Sequence, residues 1–342
     1  MADVTSRTDV QPSAGPGRNR RPRPHPRRRR PWRIALISLG SLLGLVLVVT
    51  AGGYAYVNHL VSSIPRVKVA SLAAVTANSG QTFLFTADPY GPTGLNGQST
   101  SSPNYSKLFM LLHIDANGKA GGAVTIPGDT VVNVPGHGAQ PLWEALKIGG
   151  PSLAVQTITR VTGLPVNHYA RIDFNHVAGL MNTIGGVEVT IPKTTKAFGE
   201  TFHAGVNHLT GVTAVYYARD PSLSDEGRTL RQEVLVRAVL AKIGGEHLLT
   251  NPVVMVSVLK AITSALTVDS NMSNAQVVSL ARQLGGLGSS AATFVTAATR
   301  TVHGKLVVNP AIDNQLWTAI THNDIKGFAA TYSSTVTPPV VP

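Results

Sequence analysis

The strongest constraint on this chain is a stretch of about 24 positions, residues 34–57, that contains no charged residue. At about 1.5 Å per residue, a helix of that length spans the ~30 Å hydrocarbon layer of a bilayer. Ten arginines lie at or before Arg33, and the positive-inside rule keeps such a cluster in the cytoplasm. The sequence therefore predicts a single-pass protein of the cell membrane, with residues 1–33 cytoplasmic and everything after the span extracytoplasmic. A cleaved signal peptide is the alternative, although its apolar region is usually about 7–15 residues long.

The net charge of +12 belongs mostly to the N-terminal tail. That tail holds ten of the 29 basic residues and two of the 17 acidic ones, which leaves 19 basic against 15 acidic residues beyond it. Its arginine and proline content predicts disorder. A nucleic-acid-binding arm is the other reading of such a tail, but the adjacent membrane span argues against nucleic acid as a partner. The chain has no cysteine, which excludes disulfides, thiolate metal sites and a cysteine nucleophile.

Apolar runs of strand length alternate with helical periodicity in the rest of the chain. Strands are predicted at 81–87, 107–115, 168–174 and 187–192, and 214–218 is also strand-like. Helices are predicted at 151–162, 175–184, 227–243, 251–266 and 274–284. This mixture predicts an α/β fold, a three-layer α/β/α sandwich with a central mixed sheet. We expect this domain at 78–328, after a juxtamembrane connector at 58–77 and before a disordered C-terminal tail at 329–342.

Three arginines form the clearest chemical pattern. Arg219 follows the strand-like run and is expected at a strand end, where ligand sites of α/β sheets collect. Arg228 and Arg231 are three residues apart near the start of a helix and project from one face. Guanidinium groups bind phosphate oxygens bidentately, so the pattern indicates a phosphate site. A solvated pair bonded to Asp225 or Glu233 is the alternative.

The block TGLPVNHYARIDFNHVAGLMNTIGG, followed by YYARDPSLSDEGRTLRQEVL, resembles the LytR-CpsA-Psr (LCP) family of bacterial cell-envelope enzymes. The resemblance extends over about residues 67–322. Members of the family are membrane-anchored phosphotransferases that move glycopolymers from a polyprenyl pyrophosphate carrier onto peptidoglycan. The resemblance thus implies a lipid-linked glycan, peptidoglycan and the membrane as partners.

The same resemblance implies roles for individual residues. The family's YxR motif matches YAR, which ends at Arg219, and its R-x-x-R-Q-Q motif is matched by Arg228, Arg231 and Gln232 after an acidic stretch that includes Asp225. By this resemblance the three arginines contact the pyrophosphate, and Gln232 contacts the head group. The second glutamine of the motif is Glu233 here.

Other family positions have changed. Asp88 matches a metal-binding aspartate, but its partner in the family's S-D-T segment is Lys107, so a Mg²⁺ cofactor is in question and the ammonium is expected to replace its charge. The family's IPRDT motif has Gly128 in place of the arginine and keeps Asp129, and its K-I-N-x-A segment is PLWEA, residues 141–145. Without the resemblance, Asp88 and Asp129 both read as turn residues, with metal binding and base catalysis as the respective alternatives.

Two functions therefore remain open from the sequence. The first is a membrane-anchored transferase that moves a glycosyl-1-phosphate from a polyprenyl-pyrophosphate-linked glycopolymer to peptidoglycan. The second is a catalytically impaired LCP paralogue that binds polyprenyl phosphate or regulates active relatives. A ligand-free envelope scaffold is a third reading. The sequence has no G-x-S-x-G, H-E-x-x-H, Walker or G-x-G-x-x-G motif, which argues against those catalytic and nucleotide-binding classes.

Overall fold

A computed structural model describes residues 50–76, 80–87, 107–117, 120–245, 248, 252–286 and 293–341. The chain divides into two compact units, residues 1–53 and residues 54–342. The predicted tail at 1–33, most of the predicted span and Asp88 lie outside the described residues. Within the part of the chain that is described, no helix is both long and apolar enough to cross a membrane.

The described residues form nine helices and fifteen strands. The helices are α1 (50–62), α2 (Leu142–Thr162), α3 (Phe174–Thr183), α4 (Gly211–Ala218), α5 (Asp225–Gly245), α6 (Pro252–Ala265), α7 (Asn274–Gly286), α8 (Pro310–Thr321) and α9 (Ile325–Thr331). The first eight strands are β1 (Arg66–Val67), β2 (Gln81–Ala87), β3 (Leu108–Ile114), β4 (Ala120–Pro127), β5 (Val131–Val134), β6 (Gly138–Pro141), β7 (His168–Ile172) and β8 (Val187–Ile191). The others are β9 (Thr195–Ala197), β10 (Glu200–Phe202), β11 (Gly205–Leu209), β12 (Leu266–Asp269), β13 (Phe294–Thr296), β14 (Thr299–Val302) and β15 (Lys305–Val308).

The central sheet is mixed and has seven strands in the order β1-β12-β7-β2-β3-β4-β13. The β1–β12, β7–β2 and β4–β13 pairs are parallel, and the other neighbours are antiparallel. One end of the sheet therefore collects the carboxyl ends of β2, β4, β7 and β13 together with the amino ends of β1, β3 and β12. The polar residues that follow or precede these strands meet there.

Both faces of the sheet are buried. On β3, Leu108, Met110 and Leu112 belong to one hydrophobic core, whereas the alternate residues Phe109 and Leu111 belong to the other. Because side chains alternate along a strand, the two cores lie on opposite faces. Helices α3 to α7 contribute to the first core, and α2, α8 and α9 contribute to the second. The mixed α/β fold with a central mixed sheet is thus confirmed, and it has three layers.

Two sequence-based expectations about elements are wrong. Residues 214–218, expected as a strand, belong to helix α4, which begins with a capping box between Thr210 and Thr213. The segment predicted as a connector, 58–77, supplies the edge strand β1 and core residues such as Val61 and Ile64.

The second is the tail predicted as disordered at 329–342, whose first three residues end α9 and whose residues 332–341 are called the C-terminal segment here. It forms a short 3₁₀ helix at Ser333–Thr335, and Val336 bridges Val295 on the edge strand β13. Val341 is 1% exposed and packs in the first core. Apolar burial and strand pairing therefore order a segment whose composition suggests a loop.

Candidate functional site

Lys107 and Asp129 form an ion pair at the end of the sheet defined above. Leu108 pairs with Pro127 across β3 and β4, so the residue before β3 lies beside the residues that follow β4. Lys107 Nζ is 2.5 Å from Asp129 Oδ1, and the two side chains are 12% and 26% exposed. The Lys107 ammonium also lies 5.6 Å from the centre of the Trp143 ring. At the position where the resemblance implies a metal-binding carboxylate, the structure thus has a largely buried ammonium group.

Gly128 has no room for a side chain. A Cβ built there would lie 2.5 Å from the carbonyl oxygen of Lys107, a contact that real Cβ atoms do not make. The Gly128 carbonyl accepts a hydrogen bond from the Trp143 backbone at 3.0 Å, which fixes the start of α2 against the same turn. A side chain at position 128, such as the arginine of the motif that this segment resembles, would therefore require the backbone next to Lys107 to move.

Arg231 is fully buried in an ion pair. Its Nη1 donates to Asp220 Oδ2 at 3.0 Å, and both side chains are 0% exposed. Its guanidinium carbon lies 4.6 Å from the Tyr217 ring centre, and Nη2 donates to Thr195 Oγ1 at 3.4 Å. Burial lowers the pKa of Arg231, whereas Tyr217 and Asp220 raise it. The arrangement fastens α5 to the loop that follows α4.

Arg228 connects that loop to the end of the sheet. Its Nη1 donates to the Leu223 carbonyl at 2.7 Å, inside the loop between α4 and α5. Burial lowers the pKa of Arg228, and the carboxylates of Asp129 and Asp220 act in the opposite direction. Asp129 is therefore close enough to both Arg228 and Lys107 to interact electrostatically with two cations.

The other predicted site residues fall around this loop. Arg219 is the C-cap of α4 and is partly buried, while the neighbouring Gln232 is 2% exposed and donates from Nε2 to the Ala218 carbonyl at 3.2 Å. Asp225 is the first residue of α5. The structure brings Lys107, Asp129 and Arg228 within electrostatic range of one another. Arg231 and Gln232 are instead buried, and they contact the end of α4 and the loop that follows it. Asp88 lies outside the described residues.

The described residues at this site do not fit a Mg²⁺ centre. Magnesium prefers several oxygen ligands in octahedral geometry, and the acid that the structure places here, Asp129, has one oxygen paired with an ammonium. No group of three or more potential ligands from His, Cys, Asp and Glu occurs within the described part of the chain. We therefore derive no chemical step through a metal ion.

Two functional residues were missed by the sequence analysis. Asp220 directly follows the YAR motif and neutralises Arg231; its adjacency to Arg219 was the available signal. Glu233 was considered as a changed motif position and as a partner of a solvated arginine pair, yet it is 0% exposed, and burial raises its pKa against the opposing effect of the Thr337 and Thr125 hydroxyls. It thus connects α5 to the C-terminal segment.

The geometry can hold an anion between two cations. Lys107 and Arg228 approach Asp129 from β3 and from α5, and a phosphate that reaches them would compete with that carboxylate. Among the described residues, no hydrogen-bond partner meets Asp129 Oδ2. This oxygen is a proton acceptor beside the two cations, so the cluster combines charge stabilisation with a carboxylate base.

A sequence model of the LytR_cpsA_psr family matches residues 67–323. Among curated proteins, the chain is 33% identical over 148 residues to the probable cell wall biosynthesis protein LcpB of Corynebacterium glutamicum, an alignment that covers 42% of this chain and 36% of that protein. It is 32% identical over 143 residues to the polyisoprenyl-teichoic acid–peptidoglycan teichoic acid transferase TagU of Enterococcus faecalis, covering 40% and 47% of the two chains. The matched region therefore spans less than half the length of these relatives.

Solved structures show the same fold. A LytR-Csp2A-Psr enzyme from Actinomyces oris superposes with a TM-score of 0.60 and 19% identity, covering 75% of this chain and 96% of that one. TagV of B. subtilis superposes with a TM-score of 0.57 and 18% identity, covering 73% and 98%. These likenesses concern the fold alone.

Proposed function

Because the chain belongs to the LytR-CpsA-Psr family, we propose that it transfers a glycosyl-1-phosphate from a polyprenyl-pyrophosphate-linked glycopolymer to peptidoglycan. The relatives reported above are named as a cell wall biosynthesis protein and a teichoic acid transferase, which supports a role in cell wall assembly. We also propose that the protein is anchored by a transmembrane helix at 34–57 and acts outside the cell.

The observation that carries this proposal is the convergence of Lys107 and Arg228 on Asp129. In transfer, the acceptor hydroxyl oxygen bonds to the phosphorus next to the sugar, the bond to the bridging oxygen breaks, and polyprenyl phosphate leaves. The two cations stabilise the negative charge that develops on the phosphoryl group, and Asp129 Oδ2 receives the hydroxyl proton.

A second function is favoured by one observation, the ammonium of Lys107 at the position of a family carboxylate. Lys107 can neutralise a lipid phosphate without a metal, whereas a Mg²⁺-dependent transfer has lost a ligand there. In this alternative the protein binds polyprenyl phosphate and acts on active relatives. Both functions require phosphate binding, but only the first includes transfer of the glycosyl phosphate.

Binding of polyprenyl phosphate to the full-length protein in detergent tests the site. We expect Lys107→Met and Arg228→Met each to weaken binding by at least tenfold, because each removes a charge-assisted hydrogen bond worth about 1.5–3 kcal/mol. Asp129→Asn should tighten binding, because it removes the competing carboxylate. EDTA should leave the affinity unchanged.

Lys147→Met is the matched control, since Lys147 also lies over Trp143, at 5.5 Å, but is exposed and pairs with Glu144. Equal affinity of the parent, Lys107→Met and Arg228→Met proteins would remove the site assignment. A transfer assay with lipid-linked glycan and peptidoglycan then chooses between the functions: intact binding without transfer, with or without Mg²⁺, favours the non-catalytic one.

A further inference from the structure

A cavity of about 300 Å³ lies at the same end of the sheet as Lys107, Asp129 and Arg228 and has no role in the mechanism above. Its walls come from the first turns of α5, the segment that joins β13 to β14, the start of α8 and the C-terminal segment. Its size is at the lower end of the range for small-molecule sites, about 300–1,000 Å³. It holds one or two rings rather than an extended chain.

The lining is rich in hydroxyl groups. Five residues of the lining carry hydroxyls: Thr296, Thr299, Ser334, Thr335 and Thr337. The hydroxyls of Thr296 and Thr337 lie 3.1 Å from each other, and that of Thr335 donates to the Tyr332 carbonyl at 2.7 Å. The carboxylate of Glu226 and the amide of Asn309 add a strong acceptor and a donor–acceptor pair. Apolar contact is supplied by Leu230 and Ile312 among others. Polar groups together with aliphatic surface match the edges and faces of a pyranose ring, and no cationic side chain of the described residues lines the cavity to select a phosphate.

Two elements connect the cavity to the phosphate site. Thr296 pairs with Thr125 on the neighbouring parallel strand, and Thr125 lies four residues before Asp129. Adjacent strands are about 4.8 Å apart, and the carboxyl ends of β4 and β13 share one end of the sheet, so the cavity lies at the end from which the turn carrying Asp129 projects. On the other side, Glu226 and Arg228 both lie in the first turn of α5, but residues two apart on a helix point to different sides. A glycan that occupies the cavity would thus lie at the same end of the sheet as a phosphoryl group held by Lys107 and Arg228.

Contacts between the walls hold the cavity in shape. Arg237 Nη1 donates to the Thr337 carbonyl at 2.9 Å, and the hydroxyls of Thr296 and Thr337 are 3.1 Å apart. Asp313 Oδ1 accepts a hydrogen bond from the Ala298 backbone at 2.8 Å, which fixes the segment after β13. The C-terminal segment is therefore a fixed wall, and the site is formed before a ligand arrives.

We propose that this cavity binds a pyranose unit of the acceptor glycan and presents its hydroxyl to the phosphoryl group held by Lys107 and Arg228. The proposal rests on the transferase function above and names where the second substrate binds. The same sugar chemistry occurs in the lipid-linked donor, so the experiment distinguishes the two sources.

The test uses the full-length protein in detergent with two probes, a soluble disaccharide fragment released from peptidoglycan and the lipid-linked glycan. Thr299→Phe places an aromatic ring in the cavity, and Glu226→Ala removes an exposed acceptor without altering the core. We expect Thr299→Phe to weaken disaccharide binding at least tenfold and Glu226→Ala about threefold or more. Thr301→Phe is the matched control, because Thr301 is exposed on the same strand outside the cavity.

Weakening of the disaccharide by both variants, with polyprenyl phosphate bound as by the parent, supports the proposal. Weakening of the lipid-linked glycan alone overturns it in favour of a donor-sugar site, and unchanged affinity for both glycans overturns it outright. The proposed function fails separately: loss of the Lys107→Met effect on lipid phosphate, with disaccharide binding retained, would discard the phosphate site and leave the sugar site.

Discussion

At the scale of the residue, the arginines that look alike in the sequence have different environments. Arg228 interacts electrostatically with Asp129 and Asp220 and is half-buried, whereas Arg231 is enclosed with Asp220 and Tyr217. A buried ion pair contributes little compared with apolar packing, but removal of one partner leaves an uncompensated buried charge. Arg231 therefore has a structural role, because it positions the loop that carries Arg219. This role is additional to any contact that Arg231 makes with a ligand.

Asp220→Ala should lower the free energy of unfolding by about 3–5 kcal/mol, because it leaves the Arg231 guanidinium buried without its carboxylate. Denaturant unfolding measures this loss. Asp173→Ala is the comparison, since Asp173 pairs with His176 at 3.1 Å on the surface and such pairs contribute less than about 1 kcal/mol. Similar losses in the two variants would show that the Asp220 pair is not sealed from solvent.

Asp313 gives the fold a dependence on pH. Burial raises its pKa from 3.8 to about 6, against the effect of the hydrogen bonds from the Ala298 and Asn309 backbones. The folded state then binds the proton more tightly than the unfolded state does. This contribution to stability is fully present below about pH 4, falls as pH rises to about 6, and is absent above that.

Asp313→Asn should therefore stabilise the protein relative to the parent at neutral pH, by up to about 3 kcal/mol, and the difference should shrink towards pH 4. The amide oxygen can still accept the bond from Ala298. Unfolding of both proteins by denaturant at several pH values measures the difference. A difference that does not change between pH 4 and pH 7 would contradict the raised pKa.

The resemblance located the arginines, Gln232 and Lys107, because those positions are set by motif spacing. It did not predict that Lys107 pairs with Asp129, since that contact depends on the register that brings Leu108 opposite Pro127. Partner identity across a sheet depends on pairing between distant segments, which a single sequence does not display. The roles of Asp220 and Glu233 were missed for the same reason.

At the scale of the element, buried strands and long helices were predictable and short polar-flanked ones were not. The run at Gln81–Ala87 was predicted with its correct bounds because its apolar centre lies between Gly80 and the loop that begins at Pro89. Helix α4 was read as a strand, since tyrosine and valine favour strands, and the capping box at its start was not weighed. Tertiary packing decides such short segments.

The C-terminal segment should contribute measurably to stability. Val341→Ala should cost about 1.5–2 kcal/mol, because Val341 is 1% exposed, whereas Val340→Ala should cost little, because Val340 is 38% exposed. Removal of residues 333–342 should lower Tm further, since it also uncovers the edge of β13. Thermal unfolding measures all three, and an unchanged Tm after the removal would show that the segment is detached in solution.

At the scale of the whole molecule, the mixed sheet with two cores was predictable from the alternation of strands and helices. Which end of the sheet holds the Lys107–Asp129 pair was not predictable, because it depends on strand order and direction.

The sequence also makes a prediction about orientation that the described residues do not test. Protease added to spheroplasts should digest the chain after residue 57 and spare a tag at the N-terminus. Digestion of the tag instead would reverse the proposed topology.

The chain enters the central sheet through a short connection that is packed in the core. Helix α1 ends at residue 62, its last turn packs in the core through Val61, and only residues 63–65 separate it from β1. Strand β1 begins at the end of the sheet where Lys107 lies, four strand spacings away, or about 19 Å. The distance between the start of β1 and Lys107 is then set by hydrogen-bonded and packed structure within one unit rather than by a tether of variable length.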